Sequence, residues 1–420
     1  MKSITKKIFH KIAFLHYQTL VLMSVCLLAL TACDILLPPA PAAEEVLGEP
    51  IDGLTAEQQA THIQGDGEFA RIFGVAEGLG PMFNAASCES CHAGDGKGHA
   101  LTTLTRFGRM NGSTFDPMIT EGGPQLQNRS IAGYMPEALP AHASGVTHLL
   151  PPAVTGLGYL AAVPDEALLA LADPNDRNGD GISGVPNELS PHEFFRPLPM
   201  HKQLNGRYIG RFGRKAGAID LLQQVSAAYR NDMGITSDFI SEELFNVQTG
   251  AFTGDNVPDP EVSASVVNNV VFYMRTLKVP PRRNADASNV KAGEQMFTRI
   301  GCAGCHVATL KTGASDIAAL NEVEFHPYTD LLLHDMGAEL DDGYTEGSAK
   351  TSEWRTTPLW GIGLSAKAQG GTASYLHDGR AKTLPDAIKL HGGESARSRD
   401  RFQTLSEAEK QQLITFLQSL

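Results

Sequence analysis

Apolar positions along this chain recur mostly at helical spacing, in short segments set apart by long stretches rich in glycine and proline. Val266, Val267, Val270, Val271, Met274 and Leu277 share one face of a helix over 262–277. Asp259-Pro260 ahead of it offers a cap and a first-turn proline. Leu413, Phe416, Leu417 and Leu420 form a second stripe over 407–420, opened by Ser406 and Glu409 as a capping box. Val290, Gly293, Phe297 and Ile300 predict a helix before Cys302, and shorter helical signals lie at 164–171 and 218–230. The endings Phe-Tyr-Met-Arg-Thr-Leu at 272–277 and Phe-Leu-Gln-Ser-Leu at 416–420 read as equivalent closing helices. Between the halves, the prolines of Val279-Pro280-Pro281-Arg282-Arg283 stop the helix and make a linker. The pattern predicts a mainly α protein of two domains, 61–283 and 284–420, the first enlarged by long irregular loops.

Each predicted lobe carries one copy of the same pentapeptide. Cys88-Glu-Ser-Cys91-His92 and Cys302-Ala-Gly-Cys305-His306 are attachment signals for c-type haem, about 214 residues apart. The paired thiols bind the haem vinyls, and the following His92 or His306 is the proximal iron ligand. Zinc knuckles and redox dithiols share part of this pattern, but two complete copies favour one haem c per lobe. Both domains are therefore expected to be cytochrome c-like.

The remaining cysteines concern export. Lys2, Lys6, Lys7 and Lys11 precede an almost wholly apolar run from Leu20 to Ala32, which predicts a signal peptide over 1–32. The run is too short to span a bilayer comfortably. Leu30-Thr31-Ala32-Cys33 resembles a bacterial lipobox, so Cys33 is the expected lipidation site, with 33–60 as anchor and tether. The alternative is a plain signal peptide cut nearby. Haem attachment also takes place outside the cytoplasm, which makes a periplasm-facing, membrane-anchored lipoprotein the expectation.

Charge narrows the partners. The chain has 34 basic and 47 acidic residues, and loss of the four leader lysines leaves 30 against 47. That balance gives no nucleic-acid footprint and suits docking of a basic electron-donor protein. One loop has separate chemistry. Asp176, Asn178 and Asp180, with Gly181 and the carbonyl of Ile182, follow the ligand spacing of a calcium loop. Its twelfth position is Asn187 instead of glutamate, and the same residues also favour a metal-free turn.

Arg211-Phe-Gly-Arg214-Lys215-Ala216, Asp232-Met-Gly-Ile-Thr-Ser237, Asp180-Gly-Ile-Ser-Gly184, Arg355-Thr-Thr-Pro-Leu-Trp-Gly361 and His377-Asp-Gly-Arg380 together resemble the bacterial di-haem oxidoreductase (putative peroxidase) family. Its members are often labelled thiol oxidoreductases, and it is distantly similar to di-haem cytochrome c peroxidases and to the enzyme that matures methylamine dehydrogenase. The resemblance implies a distal ligand about fourteen residues after His377, which is His391. It implies a Gln and a Glu about ten residues apart over the first haem, a spacing matched by Gln127 and Glu137. His99, His142, His148 and Met233 are candidates for that haem's sixth ligand. Trp354 and Trp360 are either an electron bridge or core packing.

The implied activity is peroxidase-like. Electrons from a small c-type cytochrome or copper protein enter at the C-terminal haem, and reaction takes place at the N-terminal one. A pure electron-transfer cytochrome and an enzyme that oxidatively modifies a partner protein are the alternatives. Lipidation and haem attachment would use every mature thiol, which excludes dithiol exchange on the protein's own cysteines.

Overall fold

Two helix pairs, each crossing at a glycine, frame the molecule. The computed structural model describes residues 47–420 except 113, 251–253 and 256. The signal peptide read at 1–32, Cys33 and the tether up to residue 46 lie outside the described residues. The first pair joins α1 (Ala56–Ala70) to a helix more than 190 residues later; the second closes the C-terminal lobe.

Helix α1 starts inside the stretch assigned to the tether. Thr55 and Gln58 exchange both bonds of a capping box, and Ile51 is buried with its amide on the Thr276 carbonyl at 2.8 Å. The folded chain thus begins ahead of residue 61. Periodicity missed α1 because its buried face is only His62, Gly65 and Phe69.

The expected helices form close to their predicted bounds: α2 (Asp165–Leu171), α3 (Leu221–Met233), α4 (Ala264–Thr276) and α5 (Ser288–Ile300). Beyond them come α6 (Leu384–Lys389), α7 (Ala396–Thr404) and α8 (Glu407–Ser419). Ser406 and Glu409 make the capping box of α8 as expected. The cap of α4 differs from expectation. Ser263 accepts from the Val266 amide, while Asp259-Pro260 stands one turn upstream, because Asp259 is engaged by the Thr236 hydroxyl.

Glycine sets both helix crossings. A Cβ on Gly65 of α1 would lie 2.1 Å from the Asn269 carbonyl oxygen and 2.6 Å from Tyr273 Cβ on α4. A Cβ on Gly293 of α5 would lie 2.1 Å from the Gln412 carbonyl oxygen and 2.7 Å from Phe416 Cβ on α8. The aromatic neighbours match as well: Phe69–Tyr273 at 5.4 Å and Phe297–Phe416 at 5.3 Å. Each fully buried side chain in these seams, such as Val270 or Leu413, contributes about 1.5–3 kcal/mol.

The intervening chain is loops with small sheets. Strands β1 (Leu104–Asn111), β2 (Thr114–Asp116) and β3 (Gly145–Leu149) form an antiparallel sheet in the order β2-β1-β3, with Arg106 opposite Thr147. A ladder of β4 (Leu333–Asp335) and β5 (Glu353–Arg355) sets His334 opposite Trp354. The fold is helix-rich with these minor sheets, as the Gly/Pro-rich composition of the loops requires. One large hydrophobic cluster fills the first half and also takes Leu310, Phe325, Leu331, Leu332 and Trp360; a second gathers around Phe297, Phe402, Leu413 and Phe416. Among the described residues no helix is long and apolar enough to cross a membrane.

Gly65→Ala and Gly293→Ala should each lower stability by about 1–3 kcal/mol, because the added methyl meets backbone. Gly67→Ala, on the same helix as Gly65 with nothing within 4 Å, should instead raise it by up to about 1 kcal/mol. Denaturant titration of the three variants checks the pair of opposite signs.

Candidate functional site

Each Cys-x-x-Cys-His segment lines its own cavity. The C-terminal cavity spans about 1810 Å³ with its open mouth and is lined by Cys302, Cys305, His306 and His391. His306 Nδ1 bonds the Tyr328 carbonyl at 2.9 Å, and His391 Nδ1 bonds the Ala387 carbonyl at 2.8 Å. Both rings thereby keep Nε2 as their free nitrogen. Burial pushes the His306 pKa down to about 4, and the charge of His391 acts in the same direction. Burial also lowers the His391 pKa, so both imidazoles are neutral donors at pH 7. Met336 lines the same cavity.

The N-terminal cavity spans about 1950 Å³ with its open mouth and is lined by Cys88, Cys91 and His92. Phe69 lies 6.1 Å from His92, as Phe297 lies 6.2 Å from His306, so the two helix seams present the same face to both motifs. His92 Nδ1 is buried with no hydrogen-bond partner, and burial lowers the ring's pKa to about 4. Here the second imidazole is different. His192 lines the cavity but is exposed, and the partly buried charged groups are Arg106, Asp232 and Glu346. Arg106 pairs with Glu346 at 2.5 Å, and the Tyr344 hydroxyl donates to the same carboxylate at 3.2 Å. Burial raises the Asp232 pKa to about 6 despite a bond from Gln125 at 2.7 Å.

Positive charge separates the two cavities. Arg214, Arg355 and Trp360 line both. Arg214 donates Nε to the Leu150 carbonyl at 2.8 Å, while its Nη2 is buried without a partner. Burial and mutual repulsion hold the Arg214 pKa down to about 9. Next along the chain, Lys215 donates to the Thr351 and Glu353 carbonyls at 2.8 and 2.7 Å. Its ammonium lies 3.8 Å from the centre of the Trp354 ring, which stacks on His377 at 3.6 Å.

These residues fit haem. In each cavity two unbridged cysteines stand beside a neutral imidazole, and burial keeps the thiols protonated, with Cys88 and Cys302 raised to about 12. The unpartnered Arg214 Nη2 supplies a buried cation of the kind a haem propionate requires.

The other residues singled out from the sequence have varied positions. Gln127 and Glu137 do meet: the Gln127 amide donates to Glu137 Oε2 at 2.9 Å, and the Glu137 amide to the Gln127 carbonyl at 3.0 Å. They bond each other and lie outside the residues lining the N-terminal cavity; the Gln127 carboxamide is spent on the Asn231 carbonyl. Of the sixth-ligand candidates, Met233 lines that cavity. His99 caps a short turn, His142 pairs with Glu121 and His148 with Thr105, all outside it. In the calcium-like loop, Asp176, Asn178 and Asp180 accept from amides of the loop itself, Asp180 Oδ1 from that of Ile182 at 2.8 Å. Ile182 reaches the C-terminal cavity, where a Cβ on Gly304 would lie 2.5 Å from it. Arg106 and Glu346 escaped the sequence reading because they stand 240 residues apart.

Chain and site agree with the comparison to known families. The chain belongs to the family described as di-haem oxidoreductase, putative peroxidase, whose model matches residues 42–107 and 146–420. It is thus a member of a peroxidase-type oxidoreductase family. The unmatched stretch, 108–145, contains Gln127 and Glu137. No protein with a curated description matches. Among solved structures, hydrazine synthase of Kuenenia stuttgartiensis is 16% identical, with 91% of this chain and 95% of that one covered at a TM-score of 0.39. A MauG-like protein associated with microbial copper homeostasis is 15% identical, with 91% and 94% covered at 0.41.

Burial raises the Glu137 pKa to about 7, against an ordinary value of 4.5. The folded state therefore holds a proton that the unfolded chain releases, and stability is lost as pH rises from 4.5 through 7. Glu137→Gln should be more stable than the parent at pH 8 by about 1–3 kcal/mol, with the difference vanishing near pH 4.5. Paired denaturation curves at the two pH values check this.

Proposed function

We propose that this chain is a di-haem c oxidoreductase of peroxidase type, built from two cytochrome c-like domains. It is exported, held to the membrane by lipid on Cys33, and works facing the periplasm. Cys88 and Cys91 would attach one haem and Cys302 and Cys305 the other, with His92 and His306 as proximal ligands. When bound, such a group supplies one-electron redox chemistry and, where a coordination position is free, a place for peroxide.

The observation that carries this reading is the inequality of the two cavities. The C-terminal one has His306 and His391, both neutral and both with Nε2 free. If both imidazoles held the iron, that haem would suit electron entry from a small c-type cytochrome or copper protein. The N-terminal one has His92 and, in place of a second buried imidazole, the Arg106–Glu346 pair and Asp232. That set can orient a peroxide and hold a proton: Arg106 presents positive charge held in place by Glu346, and the Asp232 carboxyl, raised to about 6, is a proton site. Reduction of peroxide to two waters takes two protons as well as two electrons, so a proton carrier belongs where the chemistry occurs. Trp360 and Arg214, which line both cavities, join the entry side to the reacting side.

In the haem-loaded protein, the half-reduced state should give a high-spin signal from the N-terminal iron and a low-spin signal from the C-terminal one. Glu346→Gln should cut peroxide turnover by about 10²-fold with the haem spectra unchanged. His391→Ala should convert only the C-terminal signal. Two low-spin irons in every redox state, with no peroxide consumed, would mean a pure electron carrier instead.

A further inference from the structure

A separate cluster of acidic side chains lies in the segment that leads into α4. Glu243, Asp255 and Glu261 each offer a carboxylate oxygen, and the three oxygens lie within 4.8 Å of one another. Glu243 is 9% exposed and Asp255 only 5%. Asp255 Oδ1 accepts from the Val257 amide at 2.7 Å, but Asp255 Oδ2 is buried with no partner. Glu261 Oε1 is likewise buried and unpartnered, while its Oε2 accepts from the Thr236 amide at 2.5 Å.

Among the described residues no cation forms an ion pair with these carboxylates, although the charge of Arg230 acts on Glu243. The nearby Arg230 gives its Nε to the Glu242 carbonyl at 2.8 Å and its Nη2 to the Glu243 carbonyl at 3.4 Å. Asp259, bonded by the Thr236 hydroxyl at 2.6 Å, adds a fourth acid beside the three. Buried carboxylate oxygens without partners, beside a third carboxylate, must either keep a proton or meet a cation.

We propose that Glu243, Asp255 and Glu261 bind a divalent cation of the calcium class. The donors are hard oxygens without nitrogen or sulfur, which disfavours zinc and copper. They come from irregular backbone, the setting in which calcium's flexible coordination is accommodated better than magnesium's strict octahedron. This site is distinct from the loop at 176–182, and it does not depend on the peroxidase reading.

The ion would brace one wall of the first lobe. The Tyr134 hydroxyl donates to the Gly254 carbonyl, and Asn246 Nδ2 donates to the Met135 carbonyl at 2.8 Å. Gln248 accepts from the Ala138 amide and donates to the Ala138 and Glu121 carbonyls. The acidic segment therefore holds the loop that carries Glu137. Through Thr236 it also adjoins the end of α3, where Met233 lines the N-terminal cavity.

The test uses the haem-loaded full chain, freed of metal by a chelator and then titrated with calcium alone. Bound calcium per chain and the melting temperature are measured with and without the ion. The parent should bind one more calcium per chain than Glu243→Gln/Asp255→Asn, whereas Asp176→Asn/Asp180→Asn should keep that ion. Equal stoichiometry in the parent and the first double variant, or no binding by the parent at millimolar calcium, overturns the proposal. The metal-free melting temperatures give an independent reading. The first double variant should melt at or above the metal-free parent, because the amides remove charge repulsion. A lower melting temperature would mean that the carboxylates serve only as hydrogen-bond acceptors, and the proposal fails.

Discussion

Three cations buried within five residues, Arg211, Arg214 and Lys215, hold the rest of the molecule in place. Burying a guanidinium or ammonium is costly unless every donor finds an acceptor, so the surrounding loops must supply carbonyls in fixed positions. Arg211 collects the carbonyls of Leu160 and Ala161 and the carboxylate of Asp165, which fixes the entry to α2. Lys215 collects carbonyls around β5 and sets Trp354 against His377. Arg214 stands between them and faces both cavities. A long chain with little regular structure thereby gains a defined centre.

That centre explains how two similar lobes come to differ. Both rest on a glycine-crossed helix seam, and both set a phenylalanine about 6 Å from the histidine of the Cys-x-x-Cys-His motif. The difference arises in what the long connections deliver. The C-terminal cavity receives His391 from the turn after α6, a local event. The N-terminal cavity receives Arg106 from β1 and Glu346 from the other end of the chain, and its polar character depends on their meeting.

Legibility in the sequence follows the same division. Helices α2 to α5 and α8 were readable because their apolar stripes repeat over a few turns, and the haem motifs because their chemistry sits in five consecutive residues. Helix α1 was hidden by a glycine-containing, sparsely apolar face whose partner lies about 200 residues away. The Gln127–Glu137 spacing correctly signalled proximity, yet their mutual hydrogen bonds keep them off the cavity wall. Arg106 and Glu346 leave no local pattern, since one strand position and one loop residue carry no shared period.

The α1–α4 seam also has a consequence for assembly. The bond between His62 and Thr276 spans 214 residues, whereas α5 and α8 belong to a stretch of little more than 130. Contacts so distant form late, because the loop between them must first be closed. On a chain emerging from its N-terminus, the first cysteine pair therefore waits in an unsealed lobe until the whole first half has appeared. The second pair is enclosed soon after its own segment is complete. The topology leaves Cys88 and Cys91 open for a long interval and Cys302 and Cys305 for a short one.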